Sequence, residues 1–165
     1  MNIKRLLKHV LMPPWLVRGT FSPAVMRRVE DAVKASERTH RGELCVAVEA
    51  GLELESLWRG QSPRARAEQV FSQLRVWDTA DNSGVLLYIN WVDRDIEIVA
   101  DRGINARVTQ GEWEAICLVI EQSFRAGQFE AGLLEGIRRI TRLLAVHFPG
   151  ASDNVDELVN RPVML

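Results

Sequence analysis

The sequence reads as an α/β layered protein: a small mixed sheet, a parallel crossover plus an antiparallel hairpin, covered by helices. Three observations carry this. The apolar runs "ELCVAVEA" (43–50) and "VLLYINWV" (85–92) flank a segment opened by Ser62-Pro63, and strand, helix, strand implies a parallel crossover. Asp93-Arg94 separates "VLLYINWV" from "DIEIVA" (95–100), which marks a tight turn and an antiparallel neighbour. The remaining segments carry apolar residues at helical spacing, so helices are expected to cover the sheet.

Taken in order, the N-terminus "MNIKRLLKHVLMPPWLV" places Ile3, Leu6, Leu7, Val10 and Leu11 on one helical face, with Lys4, Arg5 and Lys8 interrupting them. A short basic amphipathic helix of this kind either lies on an anionic membrane or packs back onto its own domain, and the second is expected. Ser22-Pro23 opens the next helix: serine caps free N–H groups and proline suits the first turn. Val25, Met26, Val29, Ala32 and Val33 form its buried stripe, and it stops near Gly42. The first strand follows, and 51–61 reads as a loop. The helix after Ser62-Pro63 buries Val70, Phe71 and Leu74. Thr109 and Glu112 have capping-box spacing, and the helix they open carries Trp113, Ile116, Cys117, Ile120 and Phe124. A last helix runs from about Phe129 to His147, closed by Pro149. The organisation is thus a basic amphipathic segment (1–21), a folded α/β domain (22–149) and a loose, polar, partly acidic tail (150–165).

Composition excludes several classes. The 165 residues suit one core, with 47% hydrophobic and 26% charged residues. A net charge of −1 leaves no broad basic field, so nucleic acid is not an expected partner. Cys45 and Cys117 match no zinc or redox spacing and read as buried thiols. His9, His40 and His147 are scattered, which argues against zinc. No segment has the ~20 apolar residues of a membrane span and the N-terminus does not read as a secretion signal, so a cytoplasmic location, at most peripheral to a membrane, is expected.

The topology collects side chains at two sheet edges. With Asp93-Arg94 as a two-residue turn, Val92 faces Asp95, Ile89 faces Ile98, Leu87 faces Ala100 and Leu86 faces Asp101. Asp78, Asp81 and Asn82, in "DTADNSGV" before the second strand, then meet Asp101 and Asn105 after the third, with Glu43 at the same edge. Such oxygens suit Ca²⁺ or Mg²⁺. Asp and Asn are equally ordinary turn residues, and the loop fails the EF-hand pattern, so both readings stand. At the opposite edge Arg59, Arg64, Arg66 and Arg94 gather near the helix that Pro63 opens. That is an anion site, a solvated arginine-rich surface or, with Trp58, a partner surface.

"NSGVLLYINWVDRDIEIVADRGI" (82–104), followed by "SFRAGQFEAGLLEGI" (123–137), resembles the TPM domain family, as does "RGELCVAV" (41–48). The matching features are Asn82 and Gly84 before an apolar strand, a charged turn, Gly103, and then Phe124, Arg125, Gly127, Phe129, Gly132 and Gly136. The resemblance covers roughly 22–149 and implies a three-layer α/β/α Rossmann-like sandwich, in agreement with the layered α/β reading. It implies three functional options: weak acid phosphatase, divalent-cation binding, or accessory protein at a membrane, where bacterial members often accompany LemA-type membrane proteins. Many members carry a signal peptide and a C-terminal anchor, and this sequence looks like the short soluble type. It departs from the family in reading "DRG", with Asp101 where a glycine is common, and in the compact "VWDTADN". The expected function is a non-catalytic accessory or protein-interaction domain, with Ca²⁺ or Mg²⁺ at the acidic edge and no organic cofactor. The alternative is a metal-dependent phosphatase using that edge, for which no general base or phosphate-cradling loop is legible.

Overall fold

Capping explains where the helices begin. In the computed structural model, which describes residues 3–79, 81–150, 158 and 160–165, Ser22 accepts the Val25 N–H and Ser62 accepts the Ala65 N–H. Thr109 and Glu112 form the capping box their spacing implies. The elements are α1 (Ile3–Leu11), α2 (Pro14–Thr20), α3 (Pro23–Glu37), β1 (Glu43–Glu49), α4 (Leu54–Trp58), α5 (Pro63–Gln73), β2 (Gly84–Asn90), β3 (Asp95–Ala100), α6 (Arg102–Asn105), α7 (Gln110–Arg125), α8 (Phe129–His147) and β4 (Val163–Met164).

The sheet order is β3-β2-β1-β4, with β1 parallel to β2 and to β4, and β3 antiparallel to β2. Alternate strand residues feed two cores. Leu44, Val46, Val48, Val85, Leu87 and Ile89 pack with α3, α7 and α8. Cys45, Ala47, Leu86, Tyr88 and Val99 pack with Ala67 and Val70 of α5 and with Val76 beyond it. Helices on both faces of a mixed sheet make the expected sandwich.

Three expectations change. The hairpin register is displaced by two residues: Asn90 pairs with Asp95, Leu87 with Ile98 and Val85 with Ala100. The cause is a four-residue connection, Trp91–Arg94. The Asp93 N–H donates to Asn90 Oδ1 at 3.2 Å, Arg94 takes φ 55°, and Trp91 turns into an aromatic cluster with Phe21, Phe124 and Phe129. A displacement of two keeps every side chain on its expected face. Second, Val163 and Met164, expected in a loose tail, add a short strand beside β1; 151–157 and 159 of that tail lie outside the described residues. Third, the expected loop at 51–61 contains α4, whose Leu57 is buried.

Candidate functional site

The acidic edge forms where the starts of β1 and β2 meet the end of β3. The Glu43 N–H donates to the Ser83 carbonyl (3.1 Å), Asp101 N–H to that of Gly84 (2.8 Å), and Gly103 N–H to that of Asn82 (3.1 Å). A Cβ on Gly103 would stand 2.6 Å from the Asn82 carbonyl oxygen and 2.8 Å from that of Asp81, so α6 reaches the loop only because residue 103 is glycine. Asp81, Asn82 and Asp101 are brought together as expected. Asp101 caps α6, its Oδ1 accepting the Arg102 N–H at 2.7 Å, while its Oδ2 is buried without a hydrogen-bond partner. Asn105 turns its amide back to the Ala100 carbonyl (2.7 Å), and Asp78 is exposed.

This edge brings its own positive charge. Arg102 Nε donates to Asn82 Oδ1 at 2.9 Å, and Arg41 stands 3.6 Å from Asp81. Among the described residues, no three Asp, Glu, His or Cys side chains group as metal ligands would.

The opposite edge is a network of paired charges. Arg66 grips Glu49 through Nε (3.1 and 3.0 Å) and Nη2 (2.8 Å), and the Tyr88 hydroxyl donates to the same carboxylate. Arg64 bonds Glu68, Glu97 and the Ile98 carbonyl, and Arg59 bonds Glu55. Trp58 and Arg94 are exposed. Arg59, Arg64 and Arg66 therefore each answer a carboxylate of this chain. Sequence reasoning missed Glu49, Tyr88, Asn90, Asp93, Arg5 and His9. The available signal was a polar residue closing each apolar strand: Glu49 and Asn90, which pair in register and are both buried.

Above that network lies α1, held by its polar face. Arg5 donates to Asp93 (3.0 and 2.7 Å) and to the Gln61 carbonyl (3.0 Å). His9 is buried; its Nδ1 accepts the Leu52 N–H at 3.0 Å, which leaves the proton on Nε2, 3.1 Å from Asp93 Oδ1. The helix packs back onto the domain as expected, but the apolar stripe points the other way. Leu7, Val10 and Leu11 are 51, 56 and 72% exposed, and Trp15 beyond them is 70% exposed. The side chain of Ile3 lies outside the described residues. Trp15 and Leu16 continue into an open cleft of about 820 Å³, bordered by Val25, Phe129 and Leu134. Residues 1–29 contain six Lys or Arg and no Asp or Glu.

Residues 17–143 match the TPM domain. The chain belongs to the TPM domain family. It is similar to the protein BA42 of the psychrophilic bacterium Bizionia argentinensis, at 30% identity over 87% of this chain and 94% of that one, with a TM-score of 0.74. It shares its fold with the N-terminal domain of a protein from P. gingivalis, at 19% identity over 83% of this chain and 84% of that one, with a TM-score of 0.66. No curated protein matches. The outward face of α1 lies ahead of the part that matches the TPM domain.

Inside this TPM domain, two groups have the chemistry of nucleophiles without the setting. Ser36 Oγ lies 2.6 Å from His40 Nε2 and 2.7 Å from the Thr141 hydroxyl, but Ser36 and His40 are sealed in the interior. Burial pulls His40 down to about 4, so at neutral pH it is an uncharged packing residue. Burial pushes the Cys45 thiol up to about 11. It also pushes Cys117 up to about 12, with the Glu97 and Glu121 charges adding to it. Both are held as thiols at neutral pH, Cys45 buried and Cys117, read from the sequence as buried, only half-buried. Among the described residues, no helix is long and apolar enough to cross a membrane.

Proposed function

We propose that this TPM domain is a non-catalytic accessory domain that docks at an anionic membrane surface through α1 and α2. The observation that supports it is the orientation of α1. Arg5 and His9 spend the polar face on Asp93, and Leu7, Val10, Leu11 and Trp15 face outward. An amphipathic helix with a basic surround and an exposed apolar stripe suits the headgroup–acyl boundary. Docked there, the domain would meet a membrane-resident partner of the LemA type that the family resemblance implies. Co-sedimentation with anionic vesicles tests the reading.

The acidic edge is a secondary site in this proposal. The buried, unpartnered Asp101 Oδ2 favours one hard cation there, and the Asp81 side chain and neighbouring carbonyls are oxygen donors of the right kind. Arg41 and Arg102 already supply positive charge, so Ca²⁺ or Mg²⁺ would be held weakly. Phosphoester hydrolysis draws less support. Arg64 and Arg66 are engaged at the opposite edge, Arg102 and Arg41 already answer Asn82 and Asp81, and the described residues of the acidic edge include no histidine or cysteine.

A further inference from the structure

A second surface lies apart from the outward apolar face of α1 and from the acidic edge. β3 is an edge strand of the sheet, and a cleft of about 650 Å³ runs between it and α7. Its walls carry Asp95 and Glu97 from β3 and Glu114 and Glu121 from α7, against two arginines: Arg64, which already bonds Glu68 and Glu97, and Arg125, which pairs with Glu121 at 2.7 Å. Asp95 sits in this surplus of negative charge. Its own burial first, then the charges of Glu97 and Glu121, raise its carboxyl to about 6.

An acidic cleft alone would be a solvated surface. The second observation is Trp113, which lines the same cleft, is 2% exposed and leaves its indole N–H buried without an acceptor. A buried indole N–H ordinarily finds a partner. The missing group is therefore a hydrogen-bond acceptor, in a place whose charge calls for a cation. A peptide residue with a Lys or Arg side chain supplies both, through its carbonyl and its side chain.

The strand edge offers the third element. The Asp101 N–H bonds Gly84, so the antiparallel alternation turns Asp95, Glu97 and Val99 toward β2 and turns the N–H and C=O groups of Ile96, Ile98 and Ala100 outward. Arg64 takes the Ile98 carbonyl and Asn105 that of Ala100. Ile96, itself 3% exposed, borders the cleft, and its outward groups mark where an added strand would pair.

We infer that the β3–α7 cleft binds an extended basic peptide segment of a partner protein, its backbone beside Ile96, a carbonyl on the Trp113 indole N–H and a Lys or Arg side chain among the four carboxylates. Titration of the full ¹⁵N-labelled chain with the blocked peptide acetyl-Val-Lys-Val-Lys-Val-amide tests this. Saturable shifts are expected at the Ile96 amide and the Trp113 indole. Glu97→Gln with Glu121→Gln should weaken binding about tenfold, and Trp113→Phe about threefold. No shift at millimolar peptide overturns the proposal. So does spermidine binding as tightly as the peptide, which would reduce the cleft to a diffuse acidic surface. Should Trp113→Phe lose its fold, the surface glutamine variant and the spermidine comparison still decide. Vesicle binding through α1 is untouched by either outcome.

Discussion

His9 Nε2 stands 3.1 Å from Asp93 Oδ1, across 84 residues of chain, and this contact turns α1 inside out. A helix whose apolar stripe should be its docking face is anchored by its polar one. Desolvation raises the Asp93 carboxyl, but the Arg5 and His9 hydrogen bonds outweigh it and hold the group below the usual carboxylate range.

Asp93→Ala should therefore release α1. Loss of the paired acceptor should cost about 1–3 kcal/mol. Hydrogen exchange of the α1 amides should speed up while the β1 and β2 amides stay protected. Unchanged α1 protection would show that apolar packing, not Asp93, holds the helix.

Glu49 and Arg66 should be a stability pair rather than half of an anion site. Arg66→Met leaves a buried carboxylate with Tyr88 alone and should cost about 3–5 kcal/mol in urea unfolding. Glu49→Gln combined with Arg66→Met should recover much of that loss. A full loss persisting in the double variant would mean that the pair is not coupled.

His40 should set an acid limit on stability. Its imidazole lies at about 4 in the folded chain and near 6.5 when unfolded. Between those values the unfolded chain binds the extra proton, so stability rises with pH across that window and is complete above it, a swing on the order of 3 kcal/mol. Urea midpoints for the native chain and His40→Gln should diverge at pH 7 and converge toward pH 4. Parallel curves would refute the assignment.

Calcium titration should move the amides of 81–84 and 101–105 with a dissociation constant of about millimolar, and Asp101→Asn should abolish the movement. Turnover of a generic phosphoester should stay at background and be indifferent to Asp81→Ala. Activity lost with Asp81 would restore the phosphatase reading.

The parts legible in the sequence were local. Ser22-Pro23, Ser62-Pro63 and Thr109 with Glu112 mark helix starts because capping needs only residues within one turn. The meeting of Asp81 and Asn82 with Asp101 survived a register error because a two-residue displacement changes neither the face nor the end of a strand. What stayed hidden depends on distant partners. Trp91 leaves the hairpin for an aromatic cluster built from α7 and α8, and Val163 and Met164 become a strand because β1 has an open edge. Arg66 and Arg64 looked like free cations because Glu49 and Glu97 lie 17 and 33 residues away.

The measurement closest to the central claim is co-sedimentation of the chain with phosphatidylglycerol-containing vesicles in EDTA, against neutral vesicles. The native chain should pellet with the anionic vesicles, less so as salt rises. Leu7→Glu with Leu11→Glu, two exposed positions that leave the fold intact, should lower the partition coefficient about tenfold or more. A native chain that stays in the supernatant, or a double variant that pellets equally well, would contradict the account.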